Sequence, residues 1–400
     1  MGLIIRPIKI AEDDLEQVSQ LLMRNGLNAE KYATTIAAWK YQYLENPKMK
    51  YWVSIMVDDE VKCIYGHIGL IPLPLIQNSN LFLAGAISNG AIDYSVRNKL
   101  LPHNKKKSFP IVPLIDECCN NAFADHVELI FAFSSIHPSI WKSLNFNTLH
   151  IEVDESWYLK FGVAYKLLNS RLRIAIKNKW LSYMIIPYAF LRALSMNFFK
   201  RIELTNTTNV LKKENIEVIH FSYFDISFDP LFIEFSCEHP NVIMYQRSTL
   251  SLNWRYLKTE CIKYKFIRQG KLIGYCVLRE DNLSNLDIYQ IEDFMILSMY
   301  LNTVPQILNH LLKSEKVSFN MKHYLSCDYS IMLLKAFKKY GYSIELNPFL
   351  KIFGKSKKRM HSPIYYKTNN NILDCQTLIS LDTQKNWLIE PLFFTPLYQK

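Results

Sequence analysis

Three sequence landmarks occur twice in this chain, in the same order, and this repetition restricts the possible folds more than any other feature. The first landmark is an aromatic triplet, Trp39-Lys40-Tyr41 in one half and Trp254-Arg255-Tyr256 in the other. The second is a β-prone segment that ends in glycine, at Ile64–Gly66 and at Leu272–Gly274. Each glycine-terminated segment follows its triplet, so the two halves share an order as well as a composition.

The third landmark lies further along each half, at Trp141–Phe146 and at Phe337–Tyr342. Both segments begin with an aromatic residue and a lysine, and both end in a second aromatic residue. Because order and residue type repeat together, the sequence predicts two tandem copies of one structural unit. A length of 400 residues agrees, since a single hydrophobic core rarely organises a chain of this size.

Hydrophobic periodicity predicts alternating helices and strands in the first half. Helices are expected at Glu12–Asn25, Ala33–Leu44 and Val112–Ala124, and strands at Leu3–Ile10, Tyr51–Val57, Ile64–Pro72, Phe82–Val96 and Leu129–Phe133. In the second half, Gln269-Gly270 predicts a hairpin of Tyr264–Arg268 with Leu272–Arg279. The sequence therefore divides into a domain at 1–160, a basic helical connector and linker at 161–215, and a second domain at 216–400.

The positive charge of the chain is concentrated in the predicted connector. The net charge is +11, and residues 156–202 contain no Asp or Glu. Nine basic residues lie in that segment: Lys160, Lys166, Arg171, Arg173, Lys177, Lys179, Arg192, Lys200 and Arg201. Such a segment favours an anionic neighbour.

Residues 180–199 of this segment are strongly apolar, and three interpretations stay open. They could form a helical hairpin packed between the domains, or helices that lie on a membrane surface. Their length could also span a bilayer, although Pro187 and Arg192 argue against a plain spanning helix. We therefore count peripheral membrane contact through 161–202 among the possible interactions.

Composition excludes several other classes of protein. The eight cysteines have no metal-ligand spacing, so no metal site is predicted, and the amino terminus does not resemble a secretory signal. These features favour a cytoplasmic protein with reduced thiols, and a peripheral position at the inner face of the membrane stays open. Motifs of serine hydrolases, P-loop proteins, dinucleotide-binding proteins and DNA-binding proteins are also missing.

The duplicated landmarks resemble the GNAT superfamily of acyl-CoA-dependent N-acyltransferases. In that family a helix ends in an aromatic-lysine-x-leucine-glycine-phenylalanine run, which Trp141–Phe146 and Phe337–Tyr342 resemble. The resemblance implies an α/β (α+β) fold of two tandem GNAT-like domains, each a mixed, largely antiparallel sheet flanked by helices. Acetyl-CoA or another acyl-CoA is the implied co-substrate, and a primary amine is the implied acceptor.

The resemblance also implies where the acyl carrier binds. Two central strands part in this fold, which would place the carrier between Ala91–Val96 and Leu129–Phe133. Its phosphates would lie near the following loop, where backbone N–H groups at a helix start can hold them. The implied carrier contacts are Tyr94, Val96, Arg97, Lys105, Lys106, Lys107 and Trp141.

The phosphate loop departs from the family pattern. Residues 97–108 contain no glycine, although the family uses glycine for close backbone approach. The lysines either replace that geometry with charge or belong to a solvated loop. The corresponding segment of the second half, Ser298–Thr303, has neither glycine nor a basic residue, so the second domain is expected not to bind a carrier.

The catalytic residues are also altered. The family's usual general acid is a tyrosine, and Trp141 and Phe337 occupy its positions. Candidate catalytic residues are therefore Asp93, His137 and Ser134. His137 is the most plausible base by its ordinary pKa, but it could equally begin a helix before Pro138.

Three functions are consistent with these features. The first is an N-acyltransferase that acts on a small-molecule or lipid-linked amine, such as an amino sugar of a surface polysaccharide. The second is an aminoacyl-tRNA-dependent transferase of the peptidoglycan type. The third is a non-catalytic scaffold or binding protein, which the missing glycines and tyrosine favour. The oligomeric state is not predicted.

Overall fold

The computed structural model describes most of the chain. The described residues are 3–11, 13–25, 35–48, 50–58, 60–97, 109–132, 138–175, 187, 189–191, 193–194, 211, 214–257, 260–281, 288–313, 315–340, 360–369 and 387–388. Both predicted halves are represented by strands and helices within these ranges.

In the described residues, the first half contains two helices before the three-stranded β-meander at 52–92, and three more after it. Its strands are β1 (Leu3–Pro7), β2 (Trp52–Asp58), β3 (Cys63–Gln77), β4 (Asn80–Ile92), β5 (Leu129–Ala132) and β6 (Asn147–Tyr158). Its helices are α1 (Leu15–Arg24), α2 (Ile36–Tyr43), the short α3 (Tyr94–Arg97), α4 (Ile111–Ala124) and α5 (Pro138–Ser143), and α6 (Phe161–Ala175) follows.

The second half repeats this order. Its strands are β7 (Ile216–Phe221), β8 (Met244–Tyr245), β9 (Cys261–Arg268), β10 (Lys271–Asp281), β11 (Ile288–Ile296), β12 (Ser318–Leu325) and β13 (Met360–Thr368). Its helices are α7 (Phe228–Glu238), α8 (Thr249–Tyr256), a 3₁₀ helix (Ser298–Thr303), α9 (Val304–Lys313) and α10 (Asp328–Tyr340).

A tight hairpin joins β3 to β4 in the first half, and another joins β9 to β10 in the second. Gln77 pairs with Asn80 across Asn78 and Ser79, whose φ angles are 50° and 64°. Arg268 pairs with Lys271 across Gln269 and Gly270, at 50° and 78°. Positive φ at both central residues gives the turn that matches strand twist. The predicted hairpin at Gln269-Gly270 is confirmed.

The strands form one sheet, and the two halves exchange strands at its centre. The order is β1-β2-β3-β4-β5-β13-β6-β12-β11-β10-β9-β7, with β8 paired to β3. Thus β13 of the second half lies between β5 and β6, and β6 of the first half lies between β13 and β12. The expectation of a separate sheet for each domain is wrong, because each half inserts its last described strand beside a strand of the other.

Pairing within this sheet is mixed and mostly antiparallel, as predicted. Parallel pairing occurs between β4 and β5 and between β11 and β12, which are equivalent positions in the two halves. The remaining named strand pairs are antiparallel. The repeated landmarks of the sequence therefore correspond to a repeated topology.

The largest hydrophobic core contains residues of both halves. It includes Leu75, Phe131 and Ile151 from the first half together with Phe235 and Phe294 from the second. Two further cores lie under helices of the first half, one under α4 and α5 and the other under α1 and α2. The core under α4 and α5 also contains Tyr365 of β13. The extents of the domains stay a prediction, since a shared core does not mark a boundary between them.

The first landmark pair meets at the contact between the halves. The Tyr41 hydroxyl donates to the Trp254 carbonyl, and the Trp254 indole N–H donates to the Tyr41 carbonyl at 3.3 Å. Their ring centroids lie 6.2 Å apart. These two hydrogen bonds and the ring contact join α2 to α8, so residues of the repeated landmark lie at the contact between the halves.

Two expectations from the sequence require comment. The predicted strand Phe82–Val96 is too long: β4 ends at Ile92, because Asp93 accepts the Ser95 N–H at 2.8 Å and starts α3. Of the basic connector, α6 is described, but most of the stretch from 176 to 213 lies outside the described residues. Within the described residues, no helix is long and apolar enough to cross a membrane.

The glycine of the second landmark lies so close to a neighbouring strand that a larger residue would not fit. Replacing this glycine therefore tests how closely the two strands pack. A Cβ atom on Gly274 would meet the carbonyl oxygen of Met295 and approach Ile296 Cα at 3.0 Å. Backbone atoms cannot move aside as a flexible side chain can. We expect Gly274→Ala to lower the free energy of unfolding by about 2 kcal/mol or more, measured by urea denaturation.

The matched control is Gly162→Ala in α6, where a Cβ would meet nothing within 4 Å. Alanine there should be neutral or slightly stabilising, since it restricts the unfolded chain. Equal stability of the two variants would contradict the proposed close approach of β10 to β11.

Candidate functional site

β4 and β5 pair over a short stretch and then β4 continues alone on that side. Their parallel register covers Ala84 with Leu129, Gly85 with Ile130 and Ala86 with Phe131. β4 runs six residues further, to Ile92, whereas β5 ends at Ala132 and 133–137 lie outside the described residues. The carboxyl-terminal half of β4 therefore has a sheet edge that no described strand covers.

A bulge bends β4 at this point. His67 pairs with Ala91 and Gly69 with Ser88, so two β4 residues, Asn89 and Gly90, lie opposite one β3 residue. Asn89 has a φ of 54°, in the left-handed region. A bulge locally interrupts pairing and increases strand twist, which separates the end of β4 from its neighbour. A corresponding register shift occurs in β11, next to Asp293.

The backbone of Ile92 is directed toward the side on which β5 lies. The Asp93 N–H donates to the Tyr65 carbonyl of β3 at 2.8 Å. Successive peptide groups of a strand point to opposite sides, so the N–H and C=O of Ile92 point away from β3. They form a donor and acceptor pair suited to an amide-containing chain lying alongside the strand.

In the second half, a side chain of that half occupies the equivalent sheet edge, at the end of β11. Leu297 N–H donates to the Ile273 carbonyl at 3.1 Å, so Ile296 corresponds to Ile92. The Tyr329 hydroxyl accepts from the Ile296 N–H at 3.2 Å and donates to the Ile296 carbonyl at 3.0 Å. Phe337 of the same helix packs on Phe294 of β11, with ring centroids 5.2 Å apart. An added chain would have to displace this tyrosine.

The two strand ends also differ in how far their residues are buried. Every residue of Ile291–Ile296 on β11 is buried. On β4, Ser88, Gly90 and Ile92 are partly exposed. The accessible strand end of the duplicated fold is therefore the one in the first half, which is where the sequence places the carrier site.

Asp93 lies at the end of this strand. Its carboxylate accepts from the Ser95 backbone and faces the Arg24 guanidinium at 3.7 Å. Hydrogen bonds from Ser95, reinforced by the charge of Arg24, hold the pKa of Asp93 below its ordinary value. Asp93 is therefore ionised at neutral pH and partly exposed, so it can attract a cationic amine.

The other predicted site residues are only partly placed. Val96 is buried, and Tyr94 and Arg97 lie in α3, although the description does not extend to their side chains. Ser134, His137, Lys105, Lys106 and Lys107 lie outside the described residues. The assignment of all these residues to the site stays a prediction.

Trp141 is enclosed by residues of both halves. Its ring is fully buried and stacks on Tyr365 of β13, with centroids 5.5 Å apart and planes 23° apart. Phe146 contacts it edge-on at 5.2 Å. A strand exchanged from the second half therefore forms one wall around Trp141.

The sequence did not identify a buried polar network behind the bulge. The Trp39 indole N–H donates to His67 Nε2 at 3.0 Å, and His67 Nδ1 donates to the Asn89 carbonyl at 2.8 Å. The Asn89 amide donates to the Tyr43 hydroxyl at 3.2 Å. These bonds connect α2 and β3 to the bulge. Trp39 was visible as a landmark, but nothing local in the sequence marks His67 as its partner.

In the second half, different side-chain interactions connect the bulge of β11 to its neighbours. Tyr275 occupies the position of His67, one residue after the landmark glycine, and donates to Asp293 at 2.7 Å. Arg247 Nε lies 3.3 Å from the same carboxylate, and both charged groups are buried. An ion pair thus replaces the neutral histidine network at the equivalent place. Among the described residues, no cluster of His, Cys, Asp and Glu could hold a metal ion.

Burial of His67 makes the stability of the protein depend on pH. Loss of solvent lowers the pKa of His67 from 6.5 to about 4. The unfolded chain then binds a proton that the folded chain does not, so stability is complete above the unfolded pKa and declines as pH falls toward 4. From about pH 7 to about pH 5, this group should reduce the free energy of unfolding by about 2 kcal/mol.

We expect His67→Gln to remove the share of the decline that His67 contributes, about 2 kcal/mol, because Gln can accept from Trp39 and donate to Asn89 without titrating. Urea denaturation at both pH values measures the effect. His150→Gln, at an exposed histidine of β6, serves as the control and should leave the decline unchanged. An identical decline in both variants would refute the role assigned to His67.

Comparison with solved structures identifies the architecture. A GCN5-related N-acetyltransferase from Kribbella flavida matches with a TM-score of 0.53 and 10% identity, over 92% of this chain and 73% of that one. A GCN5-related N-acetyltransferase from Anabaena variabilis matches with a TM-score of 0.51 and 10% identity, over 92% and 74%. A conserved protein of unknown function from Enterococcus faecalis, described as a probable N-acyltransferase, gives 0.51 and 9%, over 92% and 73%.

No protein-family model and no curated protein sequence matches this chain. At these identities the structural likeness concerns the fold and not the substrate. Over most of its length, the chain has the fold of the GCN5-related N-acetyltransferases.

Proposed function

We propose that this protein is an acyl-CoA-dependent N-acyltransferase with a single carrier site, located in its first half. The observation that carries the proposal is the asymmetry of the two strand ends. Ile92 presents its peptide group on the side of β5 at a partly exposed strand end, whereas Tyr329 binds the equivalent Ile296. The fold of N-acetyltransferases supports the same conclusion.

The described residues fit the amide-containing arm of an acyl-CoA. Its amides can pair with the Ile92 N–H and C=O, in the way that an added strand pairs with a sheet edge. The phosphate end would fall on residues 98–108, outside the described residues. Arg97, Lys105, Lys106 and Lys107 are the proposed phosphate contacts, by charge and not by a preformed glycine loop.

The reaction needs no covalent intermediate on the protein. The amine nitrogen attacks the thioester carbonyl carbon, a C–N bond forms, and the C–S bond breaks to release the thiolate. Holding the two reactants together supplies much of the rate enhancement, because the thioester is already activated. Asp93 would attract the protonated amine and accept its first proton, which partial exposure lets pass to water, so that the free amine can attack. The nitrogen would lose its second proton to water once the C–N bond has formed.

The remaining catalytic assignments belong to the same proposal. His137 is the alternative proton acceptor, and Ser134 is a candidate hydrogen-bond donor near the thioester. Trp141 has no hydroxyl group, so the thiolate would take its proton from water or from one of these residues. The proposed acceptor is a primary amine, such as an amino sugar of a surface polysaccharide.

A non-catalytic binding protein is the second candidate. The glycine-free loop at 97–108 favours it, and so does the replacement of the family's tyrosine by the buried Trp141. A protein of this kind would retain the fold without the transfer reaction. Binding of acyl-CoA without turnover over a panel of amines would favour it, as would binding of neither substrate.

Acetyl-CoA titration tests the carrier site directly. We expect one acetyl-CoA per chain by isothermal titration calorimetry, because the second strand end is occupied by Tyr329. At about 100 times the dissociation constant, the ligand should add about 2.7 kcal/mol to the free energy of unfolding. Absence of binding at about 1 mM acetyl-CoA would overturn the proposal, and two sites per chain would overturn the asymmetry.

The same titration tests the phosphate contacts. Joint replacement of Lys105, Lys106 and Lys107 by Gln should weaken acetyl-CoA binding and reduce its salt dependence. The matched control replaces Lys355, Lys357 and Lys358, which form another basic run remote in sequence. Equal affinity of the two triple variants would show that the loop lysines do not touch the carrier.

Asp93→Asn tests the proposed proton acceptor. We expect kcat with a primary amine to fall by roughly 100-fold, while the affinity for acetyl-CoA changes little, because the amide keeps the bond from Ser95 but cannot take up a proton. The control is Asp125→Asn, a surface carboxylate paired with Lys50 at 3.4 Å. Unchanged kcat in Asp93→Asn would transfer the role to another residue.

A further inference from the structure

Large apolar side chains are exposed on one side of the helical stretch near residue 190. Phe190 is 45% exposed, Leu191 65% and Leu194 39%. We call these three residues the apolar patch. Their spacing along the chain places them on one face of a helix. Such a face is ordinarily turned toward a protein core.

The opposite face of this stretch fixes it to the protein through small residues. Ala189 and Ala193 are fully buried in a cluster with Trp157, Leu167 and Leu168. Tyr165 of α6 contacts the Phe190 ring edge-on, with centroids 6.2 Å apart. Among its described residues, this stretch buries its alanines and exposes the three larger side chains of the apolar patch, the reverse of the arrangement expected for a core-packed helix.

The sequence segment that contains the apolar patch carries charge of one sign. The patch lies within 156–202, which has nine basic residues and no acidic ones. Lys160 and Lys166 are exposed, at the end of β6 and on α6, close in sequence to Trp157 and Leu167 of the supporting cluster. Apolar side chains surrounded by basic ones are typical of helices that lie at the surface of an anionic bilayer.

We propose that the apolar patch docks this protein onto an anionic lipid surface, with the helix lying in the plane of the interface. The proposal is independent of the transfer reaction. A second copy of the chain is a poorer occupant, because it would bring two strongly basic segments together. A nucleic acid would satisfy the charge but would leave Leu191 and Leu194 in contact with water.

Vesicle flotation of the full-length protein tests the proposal. We expect the protein to float with phosphatidylcholine vesicles that contain about 30% phosphatidylglycerol, and to bind pure phosphatidylcholine at least about tenfold more weakly. Raising the salt to about 0.5 M should weaken binding to the anionic vesicles several-fold, since the electrostatic part is screened.

A pair of matched variants identifies the surface that binds. Joint replacement of Phe190, Leu191 and Leu194 by Ser should reduce binding by about tenfold or more, because the buried apolar area is lost. The control replaces Ile226, Ile233 and Leu250 by Ser. These residues are 81%, 61% and 65% exposed in the second half, so both triple variants remove comparable exposed side chains. Circular dichroism and thermal unfolding confirm that both variants remain folded.

Three outcomes would overturn the proposal. The first is a protein that stays at the bottom of the gradient with anionic vesicles at low salt. The second is equal binding by the two triple variants. The third is preferential binding of tRNA, with tRNA retained by the patch variant. Acetyl-CoA titration of the same protein preparations tests the proposed enzymatic function separately. A failure of membrane binding can therefore be distinguished from a failure of carrier binding.

Discussion

The antiparallel pairing of β6 with β13 is the interaction on which the rest of this structure depends. Seven residue pairs, from Met360 with Val153 to Tyr366 with Asn147, join the final described strands of the two halves. Each strand also pairs on its other side with the opposite half, β13 with β5 and β6 with β12. Each half thus completes the centre of the sheet with a strand of the other, and the largest core contains residues of both.

Duplication followed by divergence of the two strand ends explains how one chain can have two similar units and one proposed carrier site. The bulge and the outward-facing peptide group occur in both halves. In the second half, Tyr329 satisfies the Ile296 peptide group, and the strand end is buried. An unsatisfied buried peptide group is costly, so a half that no longer received a ligand would favour a side chain that replaces it.

Sequence reasoning placed Asp93 within a strand predicted to run from Phe82 to Val96. The structure places it just after β4, which ends at Ile92, because its carboxylate accepts the Ser95 N–H. The network of Trp39, His67 and Asn89 was missed, because its partners lie on three different elements and form no local motif. The stacking of Tyr365 on Trp141 was equally out of reach, since more than two hundred residues separate them and only strand exchange brings them together.

The sequence by itself determined the repeat, the hairpin at Gln269-Gly270, the glycine that β11 approaches closely and the one-sided charge of residues 156–202. These features depend on neighbours along the chain or on composition, and local periodicity reports them directly. Only the tertiary structure decided that the halves share one sheet, that Tyr329 closes one strand end, and that Phe190 and Leu191 face outward. Those outcomes depend on which distant surfaces pack against each other. A pattern of hydrophobic residues shows which face of a helix or strand is apolar, but it does not determine which part of the protein covers that face.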